Sequence, residues 1–173
     1  TKFVAFIDSD DWWEDTFLST AVPALEQGYD LFFSNSQRFG YDQSRFDWKA
    51  GKDLNLVVSE HIVRDKKLEL YEFQGSFFDY ALVRSNIIST SAMIYRLASY
   101  PKLRFNTKLF NGQDRLFKLA LSQVVDKVAF CPKILVQEEE GINIYDSARW
   151  GTAKSLILIA NYIKLSKAKS SVS

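Results

Sequence analysis

Three aspartates, Asp8, Asp10 and Asp11, stand close together near the start of the chain. They follow an apolar run over 3–7, whose bulky and β-branched side chains predict a strand buried on both faces in the centre of a parallel sheet. In open α/β sheets, ligands bind just beyond the carboxyl ends of such strands. Carboxylates at this spacing repel one another, and a divalent cation that bridges a phosphorylated ligand would relieve the repulsion. We therefore expect a cation-assisted site at this turn.

The elements after the turn must position these aspartates. Apolar residues recur at helical spacing over 17–25, and Gly28 is a plausible end for that helix. Residues 29–34 then form a second strand pattern. A strand, a helix and a strand within some thirty residues indicate a βαβ unit, so we expect an α/β fold with a mixed sheet flanked by helices.

Further elements are expected downstream. They are a short edge strand over 54–58, a charged helix over 60–73, a short helix over 77–83, a strand within 86–96, and two short strands on either side of Pro132. A break over 111–113 precedes an amphipathic helix with Asp114 at its start. From local sequence, Asp114 is explained as an N-cap carboxylate that satisfies free backbone N–H groups.

Length and composition limit the classes of function. A chain of 173 residues predicts one domain, with a main part over 1–146 and a closing helix and basic tail over 147–173. The 22 basic and 21 acidic residues nearly cancel, so no overall field attracts nucleic acid. A single cysteine, Cys131, excludes an internal disulfide and a cysteine-based zinc site, and fits a cytoplasmic setting. With His61 as the only histidine, multi-histidine metal binding and Ser-His-Asp catalysis are disfavoured.

The two ends of the chain carry separate predictions. Thr1 lies directly before a strand expected to be central, which predicts that the chain is a fragment with further βαβ units upstream. At the other end, a broad apolar run over 156–163 is expected to pack on the domain or on a partner, which leaves an oligomer open. The lysines over 164–169 are candidates for peripheral contact with an anionic membrane surface, although a solvated terminus also explains them.

Three templates compete for the acidic turn. An EF-hand needs Gly at the sixth loop position and Glu at the twelfth, but Trp13 and Ser19 stand there, so that template fails. A phosphatase of the haloacid dehalogenase type also places Asp-x-Asp after an apolar strand, with Asp8 as the nucleophile. Asp11 and Trp12 depart from the residues usual for that family.

The third template fits best. The segment over 6–13 resembles the Asp-x-Asp segment of family 2 glycosyltransferases with the GT-A fold. The segments over 29–34 and 86–96 resemble later strands of that family, and 105–114 resembles its motif of Phe, a gap and Glu-Asp before a helix. The resemblance covers roughly 2–137. Gln113 replaces the usual acidic residue beside Asp114.

The resemblance implies roles for individual residues. Asp10 would bind Mn²⁺ or Mg²⁺, and Asp8 would support the nucleotide ribose or the metal and its water shell. Asp114 would act as the catalytic base that takes a proton from the acceptor hydroxyl. The cleft between donor and acceptor would be lined by Asp11, Trp12, Trp13, Ser91 and Gln113.

The implied reaction is metal-dependent, inverting transfer of a sugar from a nucleotide-sugar donor to a hydroxyl of a saccharide or another acceptor. Synthesis of cell-surface polysaccharide or glycoconjugate is the expected setting. The family's upstream nucleotide-binding part has no counterpart in this sequence, so we expect the fragment alone to be inactive. The phosphatase and a non-catalytic scaffold domain stay open as alternatives.

Overall fold

A computed structural model gives the fold. It describes residues 1–47, 56–107 and 112–139, together with 151–153, 155–156, 159–160 and 163 near the C-terminus. The strands are β1 (Phe3–Ala5), β2 (Trp12–Trp13), β3 (Leu31–Arg38), β4 (Ile62–Asp65), β5 (Leu70–Glu72), β6 (Met93–Arg96) and β7 (Val128–Glu138). The helices are α1 (Phe17–Glu26), α2 (Phe77–Arg84) and α3 (Gln113–Ser122), and short 3-10 helices lie at Val58–Glu60, Ser85–Ile87, Thr90–Ala92 and Leu97–Ser99.

The strands form one mixed sheet in the order β1-β6-β3-β7-β5-β4, and β2 pairs with the far end of β7. Of these pairings, β3 with β7 is parallel and the other pairs are antiparallel. Because β1 and β3 both run antiparallel to β6, they run parallel to each other. The unit β1-α1-β3 is therefore the predicted βαβ crossover, with β6 inserted between its two strands.

The environment predicted for β1 is wrong in part. Its residues are half-buried, and it pairs antiparallel with β6. Among the residues that the structure describes, it is an edge strand of the sheet. Its apolar character still has a physical cause, because side chains on both faces pack against the core. Phe3 and Ala5 contact the cluster that includes α1, while Val4 and Phe6 contact the cluster that includes α3.

Two apolar layers sandwich the sheet. One contains Phe17 and Phe32 and is covered by α1, which ends before Gly28 as predicted. Gly28 has φ 100°, a left-handed conformation that glycine adopts without strain. The other layer contains Phe33 and Phe117 and is covered by α2 and α3. These layers fix the strand ends from which the acidic turn and α3 project.

The predicted helix over 60–73 is wrong, since this segment forms the β4–β5 hairpin. The Asp65 side chain accepts hydrogen bonds from the backbone N–H groups of Lys67 (2.8 Å) and Leu68 (3.0 Å), which favours a turn over a helix. Leu70 is fully buried in the layer beside α1. The edge strand predicted over 54–58 is not seen in its described part, where Val58 begins a 3-10 helix.

The two strands predicted around Pro132 are one continuous strand, β7. Its pairing with β3 shifts register on both sides of Asn35, and the Asn35 side-chain amide donates to the Pro132 carbonyl oxygen at 3.1 Å. This irregularity accommodates the proline, which has no N–H group for the ladder. The strand within 86–96 is shorter than expected and begins at Met93, and the short helix predicted over 77–83 is confirmed as α2.

The C-terminal predictions lie mostly outside the described residues. Residues 153, 155–156, 159–160 and 163 are helical, as expected for the closing helix. The boundary between 146 and 147 and the basic tail over 164–173 lie outside the described residues. Within the part of the chain that the structure describes, no helix has the length and apolar character needed to cross a bilayer.

Candidate functional site

The acidic turn follows β1 and is fixed by a buried serine. The backbone N–H of Asp11 donates to the Asp8 carbonyl oxygen at 3.1 Å, which closes the turn. Ser91, with no solvent exposure, accepts a hydrogen bond from the Asp8 N–H at its Oγ (3.0 Å). Its carbonyl oxygen accepts a second one from the Trp13 indole N–H (2.8 Å). Ser91 therefore lies beneath the turn and holds it, rather than on the surface of a cleft.

The two tryptophans lie on opposite sides of β2, because successive side chains of a strand alternate. Trp13 is half-buried and packs on Phe17, with 4.8 Å between ring centroids. Trp12 is 44% exposed and pairs with Gln137 of β7. Trp12 is thus available to a ligand, whereas Trp13 anchors the turn to α1.

The structure brings Asp114 to the acidic turn from more than a hundred residues away. Partial burial raises the pKa of Asp8, and the negative charges of Asp10, Asp114 and Glu138 raise it further, in that order, against an opposing effect of Lys118. Asp8 and Asp10, both named from the sequence, therefore share one electrostatic site with Asp114.

Asp11 joins the turn to the end of β7. Its Oδ1 accepts a hydrogen bond from the Glu139 backbone N–H at 3.3 Å. Burial raises the pKa of Asp11, a hydrogen bond from Ser91 opposes that shift, and the charge of Glu138 adds to it. Asp11 is half-buried, so its carboxyl group is partly screened from water.

Asp114 lies in the first turn of α3, one residue after Gln113 begins the helix. The N-cap is Gly112, with φ 77°, so the local interpretation of Asp114 as the N-cap is wrong. The Asp114 side chain is 51% exposed, and its Oδ2 lies 3.3 Å from Lys118 Nζ. Half of the carboxylate surface is therefore open to a ligand.

Glu138 is a residue of this region that the sequence did not single out. It is 5% exposed and accepts a hydrogen bond from Ser36 Oγ at 2.6 Å. Arg45 bonds both of its oxygens, with 3.1 Å from Nε to Oε1. Burial alone would raise the pKa of Glu138, but these bonds and the charges of Arg45 and Arg38 outweigh it and hold the pKa below its usual value.

A metal ion would have few protein ligands here. The described residues contain no group of three or more His, Cys, Asp or Glu side chains that could hold one. Asp8 and Asp10 supply two carboxylates, and Mg²⁺ is usually held by one or two carboxylates together with substrate phosphates and waters. The pair therefore fits a hard divalent cation that arrives with a phosphorylated ligand, and does not form a closed site by itself.

No protein-family model and no curated protein matches the chain. Solved structures of S. aureus TarS do match. TarS 1-349 in complex with UDP-GlcNAc has a TM-score of 0.56 at 16% identity, over 95% of this chain and 40% of that one. A second TarS structure has a TM-score of 0.52 at 13% identity, and the match covers 94% of this chain and 28% of the TarS chain. TarS 1-349 without a named ligand has a TM-score of 0.51 at 15% identity, and the match covers 95% of this chain and 46% of the TarS chain.

These similarities define the fold. The chain has a mixed α/β fold like that of glycosyltransferase domains, which confirms the predicted fold class. It spans less than half the length of the TarS structures that it matches.

Proposed function

We propose that this chain belongs to the catalytic unit of a metal-dependent, inverting sugar transferase of the family 2 type. The donor is a nucleotide-sugar, and the acceptor is a hydroxyl of a saccharide or glycoconjugate. The observation that carries the proposal is that Asp114, at the start of α3, lies near enough to the turn after β1 for its charge, like that of Asp10, to raise the pKa of Asp8. The fold shared with TarS, which was crystallised with UDP-GlcNAc and with UDP, supports a UDP-sugar as the first donor to test.

Each carboxylate has a distinct role in this proposal. Asp10 and Asp8 would hold Mn²⁺ or Mg²⁺ together with the donor diphosphate. When bound, such a cation acts as a Lewis acid that neutralises charge on the departing diphosphate. Asp114 takes the proton of the acceptor hydroxyl, since its side chain is half-exposed and its charge acts on Asp8 of the turn. Attack from the side opposite the leaving group inverts the anomeric configuration.

The cleft residues have supporting roles. Trp12 offers an exposed indole face for stacking on a sugar or a base. Asp11 borders the turn, and Gln113 precedes the base where the family has an acidic residue. Trp13 and Ser91 act through the shape of the turn, because both are tied to it by hydrogen bonds. The proposed setting is cytoplasmic, with peripheral membrane contact through the basic tail over 164–169.

The test uses the full-length protein with UDP-GlcNAc, other UDP-, GDP- and dTDP-sugars, and Mn²⁺, with release of the nucleoside diphosphate as the readout. Asp114→Asn keeps the shape of the side chain but removes its basicity. We expect kcat to fall by about 10²- to 10⁴-fold, the range for loss of a general base. Asp126→Asn is the matched control, because Asp126 is an exposed aspartate in the loop between α3 and β7. Full activity of Asp114→Asn would refute the assignment of the base.

Metal binding is tested by fluorescence, because Trp12 and Trp13 adjoin the turn. Addition of Mn²⁺ with UDP should quench tryptophan emission, and Asp10→Asn should abolish the quenching. Absence of quenching and of turnover in the wild type would favour the scaffold alternative. Phosphate attached covalently to Asp8, detected by mass spectrometry after incubation with a phosphate ester, would favour the phosphatase.

A further inference from the structure

A buried lysine lies directly behind the proposed base. The side chain of Lys118 is only 9% exposed, and it lines a small apolar cavity with Leu31, Met93 and Leu121. A lysine in such a place is unusual, because the loss of hydration disfavours its charge. Burial lowers the pKa of Lys118, and the charge of Asp114 is the largest opposing influence.

Two contacts fix the ammonium group. Lys118 Nζ donates to the Ile88 carbonyl oxygen at 2.8 Å and lies 3.3 Å from Asp114 Oδ2. Ile88 is buried and belongs to the segment before β6, so the contact ties α3 to a second element. The ion pair also has the i,i+4 spacing at which side chains of a helix meet. The ammonium group is thus a fixed point against which the Asp114 carboxylate is oriented.

We infer that Lys118 is a positioning residue, which holds Asp114 through Oδ2 so that Oδ1 is the oxygen that accepts the acceptor's proton. This inference rests on the proposed function and deepens it. In the step itself, the acceptor O–H proton passes to Oδ1 while the acceptor oxygen bonds to the anomeric carbon. The bond from that carbon to the diphosphate oxygen breaks, and its electron pair leaves with the nucleoside diphosphate.

A merely structural lysine would behave differently. Lys118→Met has a similar length and removes the buried charge, and its partner Asp114 is half-exposed and can be solvated, so the change leaves no buried charge unpaired. A positioning role predicts an unchanged or raised melting temperature together with a kcat reduced by about ten- to a hundredfold, as for a misplaced catalytic group. KM should stay within about twofold, because Lys118 makes no contact with the substrate. A structural role predicts that stability and kcat change together.

The decisive experiment is a double-mutant cycle on kcat in the full-length protein. Lys118→Met should lower kcat in the wild-type background, and should change it by less than about threefold in the Asp114→Asn background. Lys118→Arg, which keeps the charge, should restore part of the rate lost in Lys118→Met. Lys133→Met is the control, since it removes an exposed lysine that pairs with Glu69 at 3.3 Å.

The outcomes separate this inference from the proposed function. Equal losses in both backgrounds, or no loss in the wild-type background, overturn the inference while sugar transfer stands. If Lys118→Met does not fold, Lys118→Gln is measured in the same cycle with the same criteria. Full transfer by Asp114→Asn overturns the assignment of the base and the inference with it. Absence of transfer by the wild type with every donor overturns the proposed function itself.

Discussion

Replacing Glu138 by Gln should destabilise the protein, because it removes the carboxylate from a largely buried ion pair with Arg45. The side chains of Arg45 and Glu138 are only 11% and 7% exposed. Removal of one partner of a buried pair usually costs 3–5 kcal/mol. Gln keeps one carbonyl oxygen for Ser36 or Arg45, so we expect a loss of about 3 kcal/mol, at the lower end of that range. For a chain of this size, the melting temperature should fall by about 6–12 °C.

The assay is urea unfolding followed by tryptophan fluorescence, in wild type and in Glu138→Gln. Glu69→Gln is the matched control, since Glu69 forms an exposed pair with Lys133 and should contribute less than about 0.5 kcal/mol. In an Arg45→Met background, the Glu138→Gln change should cost less than about 1 kcal/mol, because the ion pair is already broken there. A loss below about 1 kcal/mol for Glu138→Gln in the wild-type background would refute the reasoning.

The pH dependence of the unfolding free energy is an independent test of the same ion pair. The pKa of Glu138 is held below its ordinary value of 4.5 in the folded protein. Glu138 therefore contributes stability that is fully present above pH 4.5 and is lost as the pH falls through the lower pKa of the folded state. The difference in unfolding free energy between wild type and Glu138→Gln should shrink below pH 4.5. A difference that grows on acidification would contradict the assigned ion pair.

Two further predictions concern hydrogen bonds at and near the sheet. Ser91→Ala removes the acceptor of the Asp8 N–H and should lower the free energy of unfolding in urea by about 1–2 kcal/mol. The control is Ser19→Ala on the exposed face of α1, for which we expect a smaller loss. Equal losses for the two variants would contradict the prediction. Tyr29 donates to Glu72 at 2.6 Å, and burial with this bond raises its pKa to about 12. Tyr29→Phe should lower the free energy of unfolding by about 1 kcal/mol below pH 10, and this difference from wild type should disappear as the pH rises towards 12. A difference that persists at pH 12 would contradict the prediction.

Local patterns predicted the parts of the fold that depend on local spacing. Periodicity and end signals were enough to predict the apolar run before Asp8, the crossover through α1, and the helices α2 and α3. The β4–β5 hairpin could not be predicted in this way, because its strand character comes from pairing with β7 and from the buried Leu70. Distant pairing decided the structure there against the local helix pattern.

The amphipathic pattern of α3 does not account for the whole of its buried face. Phe117 and Leu121 are buried as expected, but so is Lys118, whereas Val124 lies beyond the helix end and is 47% exposed. A lysine four residues after Asp114, between two core positions, was the signal that could have identified the pair. It could not be read with certainty because lysines normally extend to solvent.

Glu138 was missed for a different reason. In the sequence it begins a run of three glutamates, which is typical of a solvated turn. Its burial depends on Ser36 and Arg45, roughly a hundred residues earlier, and on a register shift between β3 and β7 that no local pattern encodes. Only the assembled sheet shows that this carboxylate faces the interior.

The buried charges bear on the cation proposed for the acidic turn. Arg45 is bound to Glu138, and Lys118 is bound to Asp114, so these two cations already have carboxylate partners. Among the described residues, no lysine or arginine forms an ion pair with Asp8 or Asp10. Burial raises the pKa of Asp8, and repulsion from Asp10 and Asp114 raises it further. In the proposed function, a divalent cation carried by a diphosphate would reduce that repulsion, whereas a neutral sugar alone would not.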